Sequence, residues 1–213
     1  RVDVDALSAD DVSAVQLACL KGHIDIVRLL VGAGAEVGRV GRTTSVHVAA
    51  EGGQLATLER LVEEYGADVF GLDASGMSAL EVGSGGGHLD CVRYLVGRGL
   101  SVIGRGGTSA QYEALRGGHE DVLEYVLGAG GGDVDELNGD GETCLHLGVY
   151  QGDEGVVRML VERGARIGRV GRTTSLHVAA EAGELRLVEY ILGLGRVDVD
   201  ALSADDVSAV QLA

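Results

Sequence analysis

The sequence predicts an all-α repeat solenoid, in which paired helices are joined by short β-hairpin fingers. A Ser or Thr opens an apolar run seven times along the 213 residues, at intervals that alternate between 31 and 34 residues. The first 18 residues, RVDVDALSADDVSAVQLA, return letter for letter 195 residues later. Such fixed-period self-similarity indicates stacked repeats and not one central core. The seven hydroxyl residues are Ser13, Thr44, Ser78, Ser109, Thr143, Thr174 and Ser208.

The two intervals together make a unit of 65 residues, and three such units make the 195-residue offset. The period therefore divides the chain into three double repeats, 13–77, 78–142 and 143–207, and 196–213 duplicates 1–18. We expect residues 1–213 to form a single solenoid of about six repeats plus a partial seventh. Natural duplication, deliberate design and a window from a longer array would each produce this pattern.

Each hydroxyl residue is predicted to cap a short first helix of about two turns. Its side-chain oxygen accepts a free backbone N–H at the helix start, and a glycine supplies the left-handed residue after the helix end. The glycines that end the six complete first helices are Gly22, Gly53, Gly87, Gly118, Gly152 and Gly183.

A second helix follows at once, as at 24–31, where apolar residues run nearly all round the helix. Such a helix needs neighbours on both sides. An extended finger, rich in Gly, β-branched and charged residues, then leads to the next hydroxyl residue. The glycines that end the second helices are Gly34, Gly66, Gly99, Gly131, Gly164 and Gly195.

These motifs resemble the ankyrin repeat over the whole chain. TSLHVAA at Thr174, TCLHL at Thr143, GHIDIVRLLV at Gly22 and GADV at Gly66 are close copies of its consensus. The family's proline is replaced in every repeat, the fourth repeat reads QYE at 111–113 in place of Leu-His-Leu, and the finger lengths alternate. The resemblance implies helix–turn–helix repeats and non-enzymatic binding of protein partners on a concave face of fingers and first helices.

The composition argues against several functions. A net charge of −16 repels phosphate backbones and anionic membrane surfaces, and no stretch of eighteen apolar residues or signal pattern is present. We expect neither nucleic-acid binding nor membrane insertion. Cys19, Cys91 and Cys144 lack the spacing of a disulfide framework or a zinc site, which favours a reducing, cytoplasmic compartment unless a signal lies outside this segment.

No catalytic or cofactor-binding constellation is predicted. No nucleophile is placed consistently beside the recurring histidines, so we interpret them as structural. GRVGRTTS, at 38–45 and with the same letters at 168–175, lacks the outer glycine and the lysine of a phosphate loop, and we interpret it as a finger with a helix cap. The acidic finger at 133–142 is interpreted as solvated, with weak calcium binding as the alternative. The histidines are His23, His47, His88, His119, His146 and His177.

Charge alternates with finger length, because the short fingers sum to +5 and the long fingers to −10. Ion pairing between neighbouring fingers would explain this alternation, and so would recognition of a partner. The basic candidates for protein binding are Arg39, Arg42, Arg105, Arg169 and Arg172. The acidic candidates are Asp73, Asp133, Asp135, Asp140, Asp198, Asp200, Asp205 and Asp206.

The sequence thus predicts a non-enzymatic scaffold that binds protein partners through its fingers and concave face, as a segment of a longer periodic array. The alternative is a structural polymer, an end-to-end or continuous filament in which the alternating charge directs contacts between copies. Both interpretations place the function on the surface and require no cofactor.

Overall fold

A computed structural model describes residues 3–104, 108–128, 132–168, 173–195, 201 and 208–209. The chain divides into two compact units, residues 1–131 and 132–213. Both units consist of helix pairs joined by extended fingers, so the predicted fold class is confirmed. The single solenoid over 1–213 and its three double repeats remain predictions.

The described residues of the unit 1–131 form four helix pairs and one two-stranded finger. Fingers without a named strand are extended, with single bridges between Leu7 and Ser13 and between Leu72 and Ser78. The elements are α1 (Ala14–Leu20), α2 (Ile24–Gly32), β1 (Arg39–Val40), β2 (Thr43–Thr44), α3 (Ser45–Glu51), α4 (Leu55–Glu63), α5 (Ala79–Gly85), α6 (Leu89–Gly97), α7 (Ala110–Arg116) and α8 (Glu120–Gly128).

The unit of residues 132–213 contains two helix pairs among its described residues. In this unit Arg158 of the first pair stacks on the ring of Tyr190 in the second pair, at 4.3 Å from its centroid. The helices are α9 (Cys144–Tyr150), α10 (Glu154–Glu162), α11 (Ser175–Ala182) and α12 (Leu185–Gly193).

The predicted caps are confirmed at all six of these first helices. Each Ser or Thr accepts a hydrogen bond from the backbone N–H three residues later, as Thr143 does from His146 at 3.3 Å. The glycine after each first helix has φ between 67° and 76°, the left-handed conformation that glycine adopts without strain. Local chemistry therefore sets both ends of each first helix, including α7, where the sequence departs most from the repeat pattern.

Successive repeats of the first unit pack helix against helix. The first helices α1, α3, α5 and α7 contact one another in series, as do the second helices α4, α6 and α8. Leu58, Leu80, Leu95 and Leu123 are fully buried in these layers, and each contributes about 1.5–3 kcal/mol through the hydrophobic effect. The core is consequently a series of interfaces between repeats.

The second helix α2 departs from the expectation that each second helix has neighbours on both sides. Ile26 is 47% exposed and Leu29 is 74% exposed. Their counterparts in the equivalent helix α6 are better covered, since Cys91 is 1% exposed and Tyr94 is half-buried. The described residues include no repeat ahead of α1 and α2, so one face of this pair is uncovered.

Candidate protein-binding surface

Three long fingers in the described part of the chain share one hydrogen-bonded turn, which allows their side chains to be compared position by position. In each finger an aspartate side chain accepts the backbone N–H two residues later, at 2.9–3.1 Å. These aspartates are Asp3, Asp68 and Asp133, spaced by the 65-residue period.

Two residues after this aspartate, the first and the third of these long fingers carry a second aspartate. Its side chain hydrogen-bonds the short finger that comes next in the sequence. Asp5 accepts the backbone N–H of Glu36 at 3.0 Å. Asp135 accepts the backbone N–H of Arg166 at 2.8 Å and also its guanidinium Nε–H at 2.7 Å. The hydrogen bond to Asp135 raises the pKa of Arg166. In these two finger pairs the acid therefore joins neighbouring fingers.

The middle unit carries Phe70 at this position. Phe70 is 63% exposed. Ile103 on the next short finger is 48% exposed, and it stands where the outer units have Gly38 and Gly168. Phe70 and Ile103 line one groove of about 240 Å³ together with Leu72 and Leu100. Two positions that are aspartate and glycine in the outer units have thus become apolar together and face the same groove.

Glu81 lines the same groove and is 5% exposed. It accepts the backbone N–H of Ser78 at 2.6 Å, which completes a reciprocal cap with the Ser78 side chain. Burial raises the pKa of the Glu81 carboxyl. This acid is thus committed to the cap of α5, and the apolar residues are the ones presented to solvent.

Two of the predicted basic residues, Arg39 and Arg42, stand beside the middle long finger. Both are exposed and belong to the β1–β2 hairpin segment. Ala74 N–H donates to the Arg42 carbonyl at 2.8 Å, which fixes the hairpin against the middle long finger two residues from Gly76 of the groove. The structure therefore places the hairpin of these two arginines on the long finger whose Phe70, Leu72 and Gly76 line the groove.

The acidic candidates divide by their local role. Asp73 accepts the backbone N–H groups of Ser75 and Met77, at 2.8 and 2.9 Å. Asn138 makes the same pair of hydrogen bonds in the next long finger, so Asp73 shapes a turn that a neutral residue also shapes. Asp133 and Asp135 hold finger backbone as described above, while Asp140 is exposed.

The remaining candidates, Arg105, Arg169, Arg172, Asp198, Asp200, Asp205 and Asp206, lie outside the described residues. The calcium alternative at 133–142 finds no support within the described part of the chain, where no cluster of His, Cys, Asp and Glu side chains is suited to a metal ion. Asp135 is instead engaged by Arg166.

The structural interpretation of the histidines is confirmed where they join repeats. The Nε2–H groups of His47, His88 and His119 donate to backbone carbonyls 30 to 37 residues away, at 2.8–3.1 Å. His146 caps its own helix, because its Nδ1 accepts the backbone N–H of Thr143 at 3.1 Å. Burial lowers the pKa of His146 to about 4.

The three cysteines are buried and unpaired. Burial raises the pKa of the Cys19 and Cys144 thiols to about 12 and that of the Cys91 thiol to about 11. These thiols are consequently protonated at neutral pH and act as small packing residues.

Sequence reasoning missed Phe70 and Ile103, because a single exposed apolar residue in a finger carries no periodic signal. Aligning the three 65-residue units would have singled out both positions. Charge drew attention to the fingers, whereas the structure shows that an apolar exchange sets the middle pair apart.

The fold and the surface together define a class of protein, a stack of helix pairs that presents its fingers to solvent. The family model for ankyrin repeats (3 copies) matches this chain in four overlapping segments, 15–105, 46–136, 80–170 and 112–203. The chain belongs to the ankyrin repeat family, whose domains generally mediate protein–protein interactions.

Three relatives are similar over parts of their length. The protein fem-1 homolog A-like of Mus musculus is 37% identical over 62 residues, which are 28% of this chain and 10% of that protein. The transient receptor potential cation channel subfamily A member 1 homolog of Caenorhabditis elegans is 30% identical over 171 residues, 79% of this chain and 14% of that protein. The probable 26S proteasome regulatory subunit p28 of Saccharomyces cerevisiae is 39% identical over 70 residues, 32% of this chain and 31% of that protein.

Each match thus covers less than a third of the relative. Among solved structures, the human ASB11 ankyrin repeat domain superposes with a TM-score of 0.83 and 26% identity, covering 95% of this chain and 92% of that chain. The ankyrin repeat domain of Bcl-3 superposes with a TM-score of 0.76 and 22% identity, covering 95% and 94%. Across the described ranges, no helix has the length and apolar character needed to cross a membrane.

Proposed function

We propose that this chain is a non-enzymatic scaffold that binds a protein segment at the middle finger pair. An apolar side chain of the partner enters the groove beside Phe70 and Ile103, and acidic residues of the same segment contact Arg39 and Arg42. The observation that supports this most directly is the joint replacement of aspartate and glycine by Phe70 and Ile103 in one unit of three.

The replacement gives up a contact that the outer units use. Asp5 and Asp135 join neighbouring fingers through carboxylate hydrogen bonds, and Phe70 leaves most of its ring in water. An exposed aromatic residue contributes little to the free energy of folding, but at an interface it provides a large apolar contact. Binding of a partner would cover this ring and account for its position.

The two arginines give the site its polarity. They are exposed in a chain whose net charge is −16, so they form a local basic border. Charges further apart than about 10 Å are largely screened at moderate ionic strength, so only nearby charges matter. The nearby carboxylates of Asp68 and Asp73 accept backbone N–H groups of their own finger, whereas the arginine side chains are exposed. This border favours an acidic flank in the partner.

Two further observations support a cellular compartment for the chain and its place in a longer array. Buried, unpaired cysteines suit a reducing compartment, and we place the chain in the cytoplasm. The duplication of residues 1–18 at 196–213 supports membership in a longer periodic array. In such an array the chain would act as one binding segment.

A random peptide library displayed on phage tests the proposal. We expect selected peptides to combine an aromatic or aliphatic anchor with Asp or Glu. The variant Phe70→Asp/Ile103→Gly copies the outer units and is expected to keep the fold while weakening the binding of these peptides by about tenfold or more. The variant Arg39→Glu/Arg42→Glu should weaken binding and reduce its dependence on salt.

A control variant, Leu137→Glu, changes an exposed leucine on another long finger and should leave binding unchanged. Peptides that bind both groove variants as tightly as the native chain would contradict the proposed site. Selected peptides without an apolar anchor would contradict the proposed mode of recognition.

A further inference from the structure

The backbone N–H of Ser101 differs from its counterparts in the other two units, because it lacks their acceptor. Asp5 accepts the N–H of Glu36 at 3.0 Å, and Asp135 accepts the N–H of Arg166 at 2.8 Å. These two donors lie 65 residues before and after Ser101. Within the described part of the chain, the N–H of Ser101 makes no hydrogen bond. The middle unit therefore leaves free a finger donor that both outer units engage.

The exchange of aspartate for Phe70 explains this difference, since an aromatic ring has no oxygen to accept the N–H. The turn that carries this position is kept, because Asp68 accepts the Phe70 N–H at 2.9 Å. The short finger that follows has a local hydrogen bond of its own, in which the Ile103 N–H donates to the Ser101 hydroxyl at 3.2 Å. Both fingers thus have ordered backbones, and the exchange removes only the acceptor between them.

The free N–H belongs to the wall of the apolar groove. Ser101 and Phe70 both line this groove, together with Leu100 from the short finger and Leu72 from the long finger. In the outer units the equivalent N–H is directed at the residue that aligns with Phe70. A polar group that enters the groove beside the Phe70 ring consequently comes within reach of the Ser101 N–H.

The outer units show which chemical group this donor accommodates. Asp5 has no ion-pair partner in the described part of the chain, so the backbone N–H suffices to hold a carboxylate there. Asp135 accepts a second donor, the Nε–H of Arg166, at 2.7 Å. Ser101 also offers a second donor, because its side-chain O–H has no acceptor among the described residues. Two donors on one residue suit a carboxylate, which accepts several hydrogen bonds and strengthens each through its charge.

We propose that the partner supplies to Ser101 the carboxylate that Asp5 and Asp135 supply within the chain. The inference rests on the proposed function, and it specifies that an aspartate of the partner stands beside the apolar anchor and accepts the Ser101 N–H. This aspartate is distinct from the acidic flank that contacts the two arginines of the β1–β2 hairpin. The presence of Phe70 in place of an aspartate then serves recognition twice, since it provides the apolar ring and leaves a donor for the partner.

Amide hydrogen exchange, followed by NMR on the full chain, tests whether the donor is free. Relative to the rates of an unstructured peptide, the N–H groups of Glu36 and Arg166 should exchange about tenfold more slowly than that of Ser101. Phe70→Asp should slow the exchange of Ser101 about tenfold, because it restores the acceptor within the chain. Phe70→Ala is the matched control and should leave this exchange unchanged. Equal protection of all three N–H groups in the native chain would overturn the inference, and so would a Ser101 N–H that Phe70→Asp leaves unprotected.

A peptide selected on the native chain by phage display tests the contact with the partner. When this peptide binds, the exchange of the Ser101 N–H should slow about tenfold, and its proton resonance should move downfield because of the hydrogen bond to a carboxylate. Replacing one aspartate of the peptide by alanine should abolish both changes and weaken binding about tenfold. Replacing its other acidic residues should leave the Ser101 exchange unaffected. Ser101→Ala keeps the backbone N–H and should weaken binding by no more than about threefold.

The peptide experiment distinguishes failure of this inference from failure of the proposed function. If no selected peptide binds at the groove, the proposed function fails and the inference fails with it. If peptides bind at the groove while the Ser101 N–H exchanges as in the unbound chain, only the inference fails. It also fails if a free C-terminal carboxylate, and not an aspartate side chain, protects this N–H. Protection of Ser101 that depends on one aspartate of the peptide, together with loss of binding in Phe70→Asp, supports both.

Discussion

The finger pair at Asp135 and Arg166 and the finger pair at Phe70 and Ser101 occupy the same position in successive 65-residue units. In the first pair a carboxylate with 11% exposure bonds a backbone N–H and a guanidinium. In the second pair an aromatic ring is exposed beside a groove. The backbone is held in the same way in both, by Asp133 and by Asp68.

The difference teaches that one position in this repeat serves either of two purposes. A carboxylate there stabilises the junction between neighbouring fingers, and an apolar side chain there presents a surface for a partner. Because the supporting turn does not depend on that side chain, the exchange is possible without changing the fold. The following predictions test how far this separation between the units extends.

The largest effect is expected at the third residue of the first helices, which is His146 in the last unit, Glu81 in the middle unit and Gln16 in the first. The pKa of His146 is lowered to about 4 in the folded chain by burial. A lowered pKa means that the unfolded chain binds the proton first, so the free energy of unfolding falls as the pH drops from about 6.5 to about 4.

His146→Gln introduces the residue that the first unit has at this position. There the Oε1 of Gln16 accepts the Ser13 N–H at 2.8 Å, so glutamine can complete the cap. In the native chain the free energy of unfolding should fall by an amount on the order of 3 kcal/mol over this pH range because of His146, and the variant should not show this fall. Chemical denaturation at a series of pH values measures this difference, and a parallel pH dependence of the native chain and the variant would contradict it.

Glu81→Gln should change the pH dependence of stability in the opposite direction. Burial raises the pKa of Glu81 in the folded chain, so its contribution is present below the unfolded value and lost as the pH rises through the folded value. The variant should therefore gain stability relative to the native chain toward neutral pH. A gain toward acid pH would show that the cap, and not burial, dominates the titration of Glu81.

A smaller effect is expected from Asp135→Ala, which removes the acceptor for the Arg166 backbone N–H. We expect a loss of about 1.5 kcal/mol from this charge-assisted hydrogen bond, while the exposed guanidinium adds little. Phe70→Ala, the matched change in the middle unit, should leave stability nearly unchanged. Urea unfolding of both variants would contradict the comparison if Phe70→Ala proved the more destabilising.

The smallest difference is expected at the caps, which the two units share. Thr143→Ala and Ser78→Ala each remove a side-chain oxygen that accepts a backbone N–H, so each should cost about 1 kcal/mol. Equal losses in urea unfolding would show that the units differ in their fingers and not in their helices. Unchanged midpoints for both variants would contradict the assigned helix starts.

The sequence was sufficient to predict the helices because their ends depend on local chemistry. Thr143 caps a helix through an oxygen three residues from its donor, and Gly152 adopts a left-handed conformation that its own lack of Cβ permits. Neither feature depends on distant parts of the chain. The six N-caps and the glycines that follow were accordingly predicted at the correct residues.

The roles of the finger residues could not be predicted in the same way. Asp73 and Asp135 are both finger aspartates, yet Asp73 shapes a turn within its own finger and Asp135 bonds the next one. That distinction depends on which backbone groups face each carboxylate across 31 residues. The exposure of Leu29 could not be predicted from the apolar pattern of its helix either, because the pattern does not reveal whether a neighbouring repeat covers that face.

The reciprocal exchange between the two finger pairs tests the central claim most directly. Phe70→Asp and Asp135→Phe would be compared for their urea midpoints and for the binding of a peptide selected on the native chain. We predict that Phe70→Asp keeps or gains stability and loses peptide binding, whereas Asp135→Phe loses stability and keeps peptide binding. Loss of stability in Phe70→Asp together with retained binding would contradict the account, because Phe70 would then be a structural residue and not part of the binding site.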